Sequence, residues 1–161
     1  MDYQSHIAFN GPLATGLRSL CILNACEGRG VDIQTLVALD YLVVHSGDEG
    51  GPVSLHPPIP QRVGELAVRQ PLIERGLVLM ELKGLIKREF DKTGVSYRVT
   101  DRTSVVLEAL EADYTKDMRH RADWAVKFAT ERSGIYLKVI DEALDRWNSQ
   151  LSSLTHVPQV T

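Results

Sequence analysis

The sequence predicts a mostly α-helical chain with one small β-hairpin: a winged-helix-like core followed by C-terminal helices. Three observations predict it. Apolar residues recur at helical spacing over most of the 161 positions. A period-two stretch at 85–99 is broken by a turn signal. That stretch follows three helical segments and precedes another helix, which is the element order of a winged-helix domain. A chain this long can bury roughly 70% of its unfolded surface, so its core needs no staples. Apolar residues at 43% and charged residues at 24% exclude a disordered, collagen-like or polytopic membrane chain.

Pro12 can open the first helix without losing a hydrogen bond. Leu13, Leu17, Leu20 and Cys21 then recur at helical spacing, and Gly28-Arg29-Gly30 stops the segment. Asp32 is a good N-cap for a second helix, since its carboxylate can accept the orphan amides of the first turn. From 33 to 44 that helix is apolar on nearly every side, interrupted by Gln34, Thr35 and Asp40, and so belongs in the interior or between partners. The sixteen residues 45–60 hold three glycines and four prolines, which predicts a long loop without regular structure. Beyond it, Gly64 to Val68 reads as one helical turn. Pro71 reads as the start of a further helix, with Ile73, Leu77 and Met80 on one face, broadened by Leu72, Leu79 and Leu82, and Gly84 as its C-terminal cap.

The hairpin joins 85–90 to 95–99 through Asp91-Lys92-Thr93-Gly94, with glycine where positive φ is tolerated. Its inner face is expected to carry Ile86, Phe90, Val95, Tyr97 and Val99. Thr100 or Asp101 caps another helix through about Ala112. Two more helices follow, the first striped by Tyr114, Met118, Ala122, Ala125 and Ala129, the second by Tyr136, Val139, Ile140, Ala143, Leu144 and Trp147. The expected organisation is a winged-helix-like core at 1–113, a helical extension at 114–151 and a flexible tail at 152–161.

Eighteen Lys+Arg against twenty-one Asp+Glu give a net charge of −3, whereas a free-standing DNA binder usually carries excess positive charge. The candidate recognition helix carries Glu74, Arg75, Glu81 and Lys83, whose charges cancel. Cys21 and Cys26 would point apart on one helix and read as reduced core thiols. The first ten residues carry no signal-peptide pattern and no apolar run reaches 18 residues, so the expected location is the cytoplasm, with no membrane contact.

His45, Asp48, Glu49 and His56, with Glu65 beyond, could in principle gather a transition metal, but their spacing matches no strong metal motif. The favoured expectation is structural: His45 at the end of the second helix, Asp48 accepting amides in a turn, His56 packed on prolines. Asp40 inside an apolar helix requires a partner, and Arg18, Arg62 and Arg69 are the candidates. Ser46 lacks a third group for a nucleophilic triad, and Gly47, Gly50 and Gly51 lack the ending of a phosphate loop. No catalytic residue, cofactor or metal is therefore expected. The most basic helical run, 116–127, carries Arg119, His120 and Arg121. Trp124, Phe128, Tyr136 and Trp147 are the aromatic candidates for anchoring a partner. The expected partner-contact residues are His45, Asp48, His56, Arg62, Arg119, Arg121, Trp124, Phe128 and Trp147.

Several motifs carry a resemblance: Phe9-Asn10-Gly11-Pro12-Leu13 followed by Gly16-Leu17-Arg18, then Leu39-Asp40-Tyr41-Leu42-Val43-Val44-His45-Ser46-Gly47-Asp48, then Gly50-Gly51-Pro52-Val53-Ser54-Leu55-His56-Pro57, and Gly84-Leu85-Ile86. Over roughly residues 7 to 148 the chain resembles the middle component of ABC-three-component systems, the small subunit of Lamassu-type antiphage defence. The resemblance implies a non-enzymatic adaptor. Its partners would be an SMC/Rad50-like ATPase subunit that senses DNA and a nuclease-like effector, with DNA touched only through the complex. The rival expectation is a winged-helix DNA-binding regulator, and a weaker third is a small metal-dependent hydrolase.

Overall fold

The structure, a computed structural model, describes residues 11–56, 62–133 and the single position 145. Five helices and a two-stranded antiparallel ribbon follow one another in the order α1 (Pro12–Ala25), α2 (Ile33–Val44), α3 (Arg62–Leu82), β1 (Ile86–Asp91), β2 (Gly94–Val99), α4 (Arg102–Ala109) and α5 (Asp113–Ser133), with a short 3-10 turn (Ser46–Glu49) after α2. The mostly helical class with a small hairpin is thus borne out.

The local signals work as read. Pro12 stands in the first turn of α1, and Asp32 caps α2 by accepting from the Thr35 amide at 2.9 Å and the Thr35 hydroxyl at 2.8 Å. Gly84, at φ 69°, ends α3, and the next amide, that of Leu85, reaches back to the Met80 carbonyl at 3.0 Å. This is the left-handed cap that spares a side chain its Cβ clash. In the ribbon Ile86 pairs with Val99 and Asp91 with Gly94. The Asp91 carboxylate closes the turn by accepting from the Thr93 amide at 2.7 Å.

α1 is central. It is buried by α3 on one side and α5 on the other, and α2 packs against both of those helices. Leu20, Ile22 and Leu23 of α1, Leu36 and Leu39 of α2, Ile73, Leu77 and Met80 of α3, and Met118, Ala122 and Ala125 of α5 share one core. The small residues at 122, 125 and 129 let α5 approach closely. The closest crossing is between α1 and α3, where Gly16 and Gly76 meet backbone to backbone. Both thiols are buried and free.

The connector between α1 and α2 touches the ribbon: Val31 and Tyr97 exchange both backbone bonds, at 3.0 and 2.8 Å. At the ribbon's stem the Leu85 carbonyl accepts from the Thr100 amide at 3.1 Å and the buried Thr103 hydroxyl at 2.5 Å.

Four expectations need correction. Residues 64–68 and the segment after Pro71 form one helix, α3, with Pro71 inside it; packing of Ile73, Leu77 and Met80 outweighs the one backbone bond a proline removes. Leu82 broadens no core face: it lies outside, as Leu13 does. Phe90 and Val95 do not face inward, because the ribbon outruns the helices and only its stem residues, Ile86, Tyr97 and Val99, reach the core. α4 stops at Ala109 rather than near Ala112, and Asp101 holds its N-cap position without a side-chain cap bond.

Candidate functional site

Residues 46–56 form a strap across α5, and most of the residues singled out as functional meet there. The strap folds on itself. The Ser46 hydroxyl donates to the Pro52 carbonyl at 2.8 Å, the Gly47 amide to the Ser54 hydroxyl at 3.0 Å, and the Gly51 amide to the Ser46 carbonyl at 3.0 Å. Its end returns to α2, where the Leu55 and His56 amides both donate to the Val44 carbonyl.

Three successive stations on α5 hold it. His56 Nε2 lies 3.2 Å from the Tyr114 hydroxyl. Arg121 donates from Nε to the Val53 carbonyl at 2.8 Å and from Nη1 to the Asp117 carbonyl at 3.0 Å. Gly51 lies flat on Trp124; a Cβ there would stand 2.3 Å from the indole ring. Trp124 in turn stacks on Phe128 with centroids 4.9 Å apart, and the Arg132 guanidinium sits 5.2 Å over the Phe128 ring.

Beneath the strap lies a buried charge cluster. Asp40 accepts from Arg18 Nε at 2.8 Å and from Arg18 Nη2 at 3.4 Å, and it also pairs with Arg69 Nη1. All three side chains are buried. Arg18 and Arg69 are thus the partners that Asp40 demanded, and the side chain of Arg62 lies outside the described residues. Burial pushes the Asp40 carboxyl up, but the two guanidiniums outweigh it and hold it at about 2. Burial also lifts the Cys21 and Cys26 thiols to about 12 and 11, which makes them unreactive.

His56 faces this cluster. Its own burial and the charges of Arg18, Arg69 and His45 hold it down to about 4, against the opposing pull of Asp40. The folded state therefore favours neutral His56, so its contribution is complete above the unfolded value of 6.5 and is lost as pH falls toward 4. Between pH 7 and 5 this amounts to a loss of about 2 kcal/mol. Thermal melts of wild type and His56→Gln over that range will check it: the wild-type curve falls, and that of the variant is flatter by the difference.

The expected partner-contact residues divide by place. His45, whose ring lies 4.8 Å from that of Tyr41 at a 47° tilt, is buried, as are His56 and Arg121. His56 meets Tyr114, and the prolines at 57, 58 and 60 that it was expected to pack on lie outside the described residues. Asp48 is exposed, Arg119, Trp124 and Phe128 are half-buried, and Trp147 lies outside the described residues. Tyr114 was visible in the sequence only as a member of an apolar stripe. Its spacing to Arg121 and Trp124, seven and ten residues on, is the signal that one flank of α5 holds a partner segment.

Among the described residues no three His, Cys, Asp or Glu side chains are grouped to hold a metal, and no helix is long and apolar enough to cross a membrane. An open groove of about 450 Å³ between the end of α1 and the second half of α5 mixes charges of both signs, Glu27, Arg29, Asp123, Lys127 and Glu131 among them. No curated protein and no solved structure matches the chain. The family described as the ABC-three component (ABC-3C) system Middle Component 2 matches residues 8–150. That match takes in the strap, the charge cluster and every helix named above, and the chain belongs to this family.

Proposed function

We propose that the protein is a non-enzymatic adaptor of a bacterial antiphage defence complex, acting in the cytoplasm. It links an SMC/Rad50-like, DNA-sensing ATPase to a nuclease-like effector and controls the effector's release or activation. Membership of the family makes the other components of the system its partners. The observation that carries the finer reading is the strap. An eleven-residue surface segment is held along α5 by Tyr114, Arg121 and Trp124, and this pre-forms a surface at low entropic cost. In this reading Asp48, Trp124 and Phe128 touch a partner at the strap, Arg119, which donates to the Leu107 carbonyl of α4 at 3.3 Å, touches one on another flank of α5, and Trp147 and Arg62 are further proposed contacts. His45, His56 and Arg121 set the surface from inside.

The core is further proposed to be a winged helix. Its element order and the bridge that joins Val31, in the α1–α2 connector, to Tyr97 of β2 support this. Such a core would also suit a DNA-binding regulator, but Glu74 and Glu81 on α3 stand where phosphates would approach, and Glu81 is paired with Arg88.

Co-expression with the other components followed by size-exclusion chromatography tests the proposal. A complex containing this chain is expected, and the charge reversal Asp48→Arg, at an exposed position, should weaken it about ten-fold. A lone subunit that turns over a substrate, or that grips duplex DNA at physiological salt with a steep salt slope, would overturn it.

A further inference from the structure

The strap is a flap with both ends on one helix. It leaves the end of α2 through His45 and Ser46 and comes back to the Val44 carbonyl, which the amides of Leu55 and His56 meet at 3.0 and 3.2 Å. Between these ends it holds its own shape through the bonds of Ser46 to Pro52 and of Gly47 to Ser54. What pins it to α5 is an indole under Gly51, a guanidinium on the Val53 carbonyl and a phenol against the His56 ring. The first two pins keep their charge state at every pH near neutrality. The third involves an imidazole, which does not.

The His56 ring stands at the end of a directed chain of donors. Arg18 has protons and no acceptor, so in its bond with Tyr114 the phenol oxygen accepts. That leaves the phenol proton to be given, and a neutral imidazole can take it at Nε2, 3.2 Å away. An imidazolium carries N–H on both ring nitrogens and can take nothing. It would also add charge to a positive neighbourhood. The ring faces Arg18 from α1, Asp40 and His45 from α2, and Arg69 from α3, while Tyr114 on α5 stands in the field of Arg121. Asp40 is the one acid among these groups, and it already serves both Arg18 and Arg69. His56 is only 7% exposed, so little water reaches it to screen an added charge.

Protonation therefore acts on the closing end of the flap. His56 bears both the ring that meets α5 and an amide that returns to α2, so moving the ring out to water pulls on that amide as well.

We propose that residues 46–56 are an acid-opened latch. With His56 neutral the strap lies shut on α5. With His56 protonated its return end lifts, drawing Val53 and Gly51 off Arg121 and Trp124, while the helical core stays folded. This goes beyond the adaptor reading and is a property of the lone chain.

Amide hydrogen exchange of the full chain, followed by NMR from pH 7 to pH 5, tests it, with each rate divided by that of a free amide at the same pH. The Leu55 and His56 amides should exchange through an opening that leaves the α1 amides of Leu20 and Ile22 protected. Their protection should fall about twenty-fold over this range, because the ring is held at about 4 when shut and titrates at 6.5 when free. His56→Gln, whose side-chain carbonyl can still accept from Tyr114, should keep the opening and lose its pH dependence. Strap amides protected as strongly as those of the core at every pH would show that the strap comes off only with global unfolding, which overturns the latch. Wild-type strap protection that does not change with pH also overturns it, and both of these readings need no variant to fold. An equal fall in His56→Gln overturns His56 as the trigger.

Discussion

Gly76→Leu is expected to yield no folded protein, and Gly76→Ala to cost about 3 kcal/mol or more. A Cβ on Gly76 would stand 2.5 Å from the Gly16 amide nitrogen, 2.8 Å from Thr15 Oγ1 and 2.9 Å from Gly16 Cα. One on Gly16 would stand 2.8 Å from the Gly76 carbonyl oxygen. Two of the three atoms facing Gly76 are backbone, so no side chain can swing aside to make room. α1 and α3 must separate instead, and the layer of Leu20, Ile73, Leu77 and Met80 loses its contacts along the whole crossing. In an exposed helix interior the same Gly→Ala change stabilises by up to about 1 kcal/mol, so the sign itself is diagnostic. Gly51→Ala is the contrast, because there the obstacle is the Trp124 ring, a side chain that can rotate. Urea denaturation of Gly76→Ala, Gly16→Ala and Gly51→Ala will rank them, with the two crossing variants far below the third.

Asp40→Asn is expected to cost about 3–5 kcal/mol, although the change is nearly isosteric. The carboxylate lies between two buried guanidiniums, and an amide in its place leaves both positive charges in the interior facing a neutral group. The cost is that of the charge, not of the shape. Replacing all three residues together, as Arg18→Met, Asp40→Leu and Arg69→Met, should therefore recover most of the loss. Equilibrium unfolding of the single, double and triple variants measures the coupling, and strongly non-additive values are the expected outcome. The same pair of arginines gives Asp40 a share in the acid dependence of the fold. With the carboxyl held at about 2, against 3.8 when unfolded, its stabilisation is present above 3.8 and disappears as pH falls through 2.

What could be read from the residues alone follows a physical rule. Signals contained within a few positions came through: Asp32 before an apolar helix, Asp91 to Gly94 between alternating strands, Gly84 after the last apolar turn of α3. Asp40 was legible for another reason. A carboxylate inside an apolar helix states a demand, and the candidate list contained both arginines that meet it. Pro71 misled because a proline opening a helix and one tolerated inside it look alike until the packing around Ile73 and Leu77 is known. Phe90 and Val95 misled because alternation marks a face without saying whether anything covers it. Contacts across long separations were out of reach. Gly16 meets Gly76, and His56 meets Tyr114, only because of how three helices cross.

The ribbon is rooted at one end only. Its stem is tied to the start of α4 through the Leu85 carbonyl and to the α1–α2 connector through the paired amides of Val31 and Tyr97, while Phe90 stands some distance beyond either tie. Its inner tie falls on Val31, and the next residue, Asp32, caps the helix bearing Asp40, so the ribbon is anchored one position away from the start of that helix.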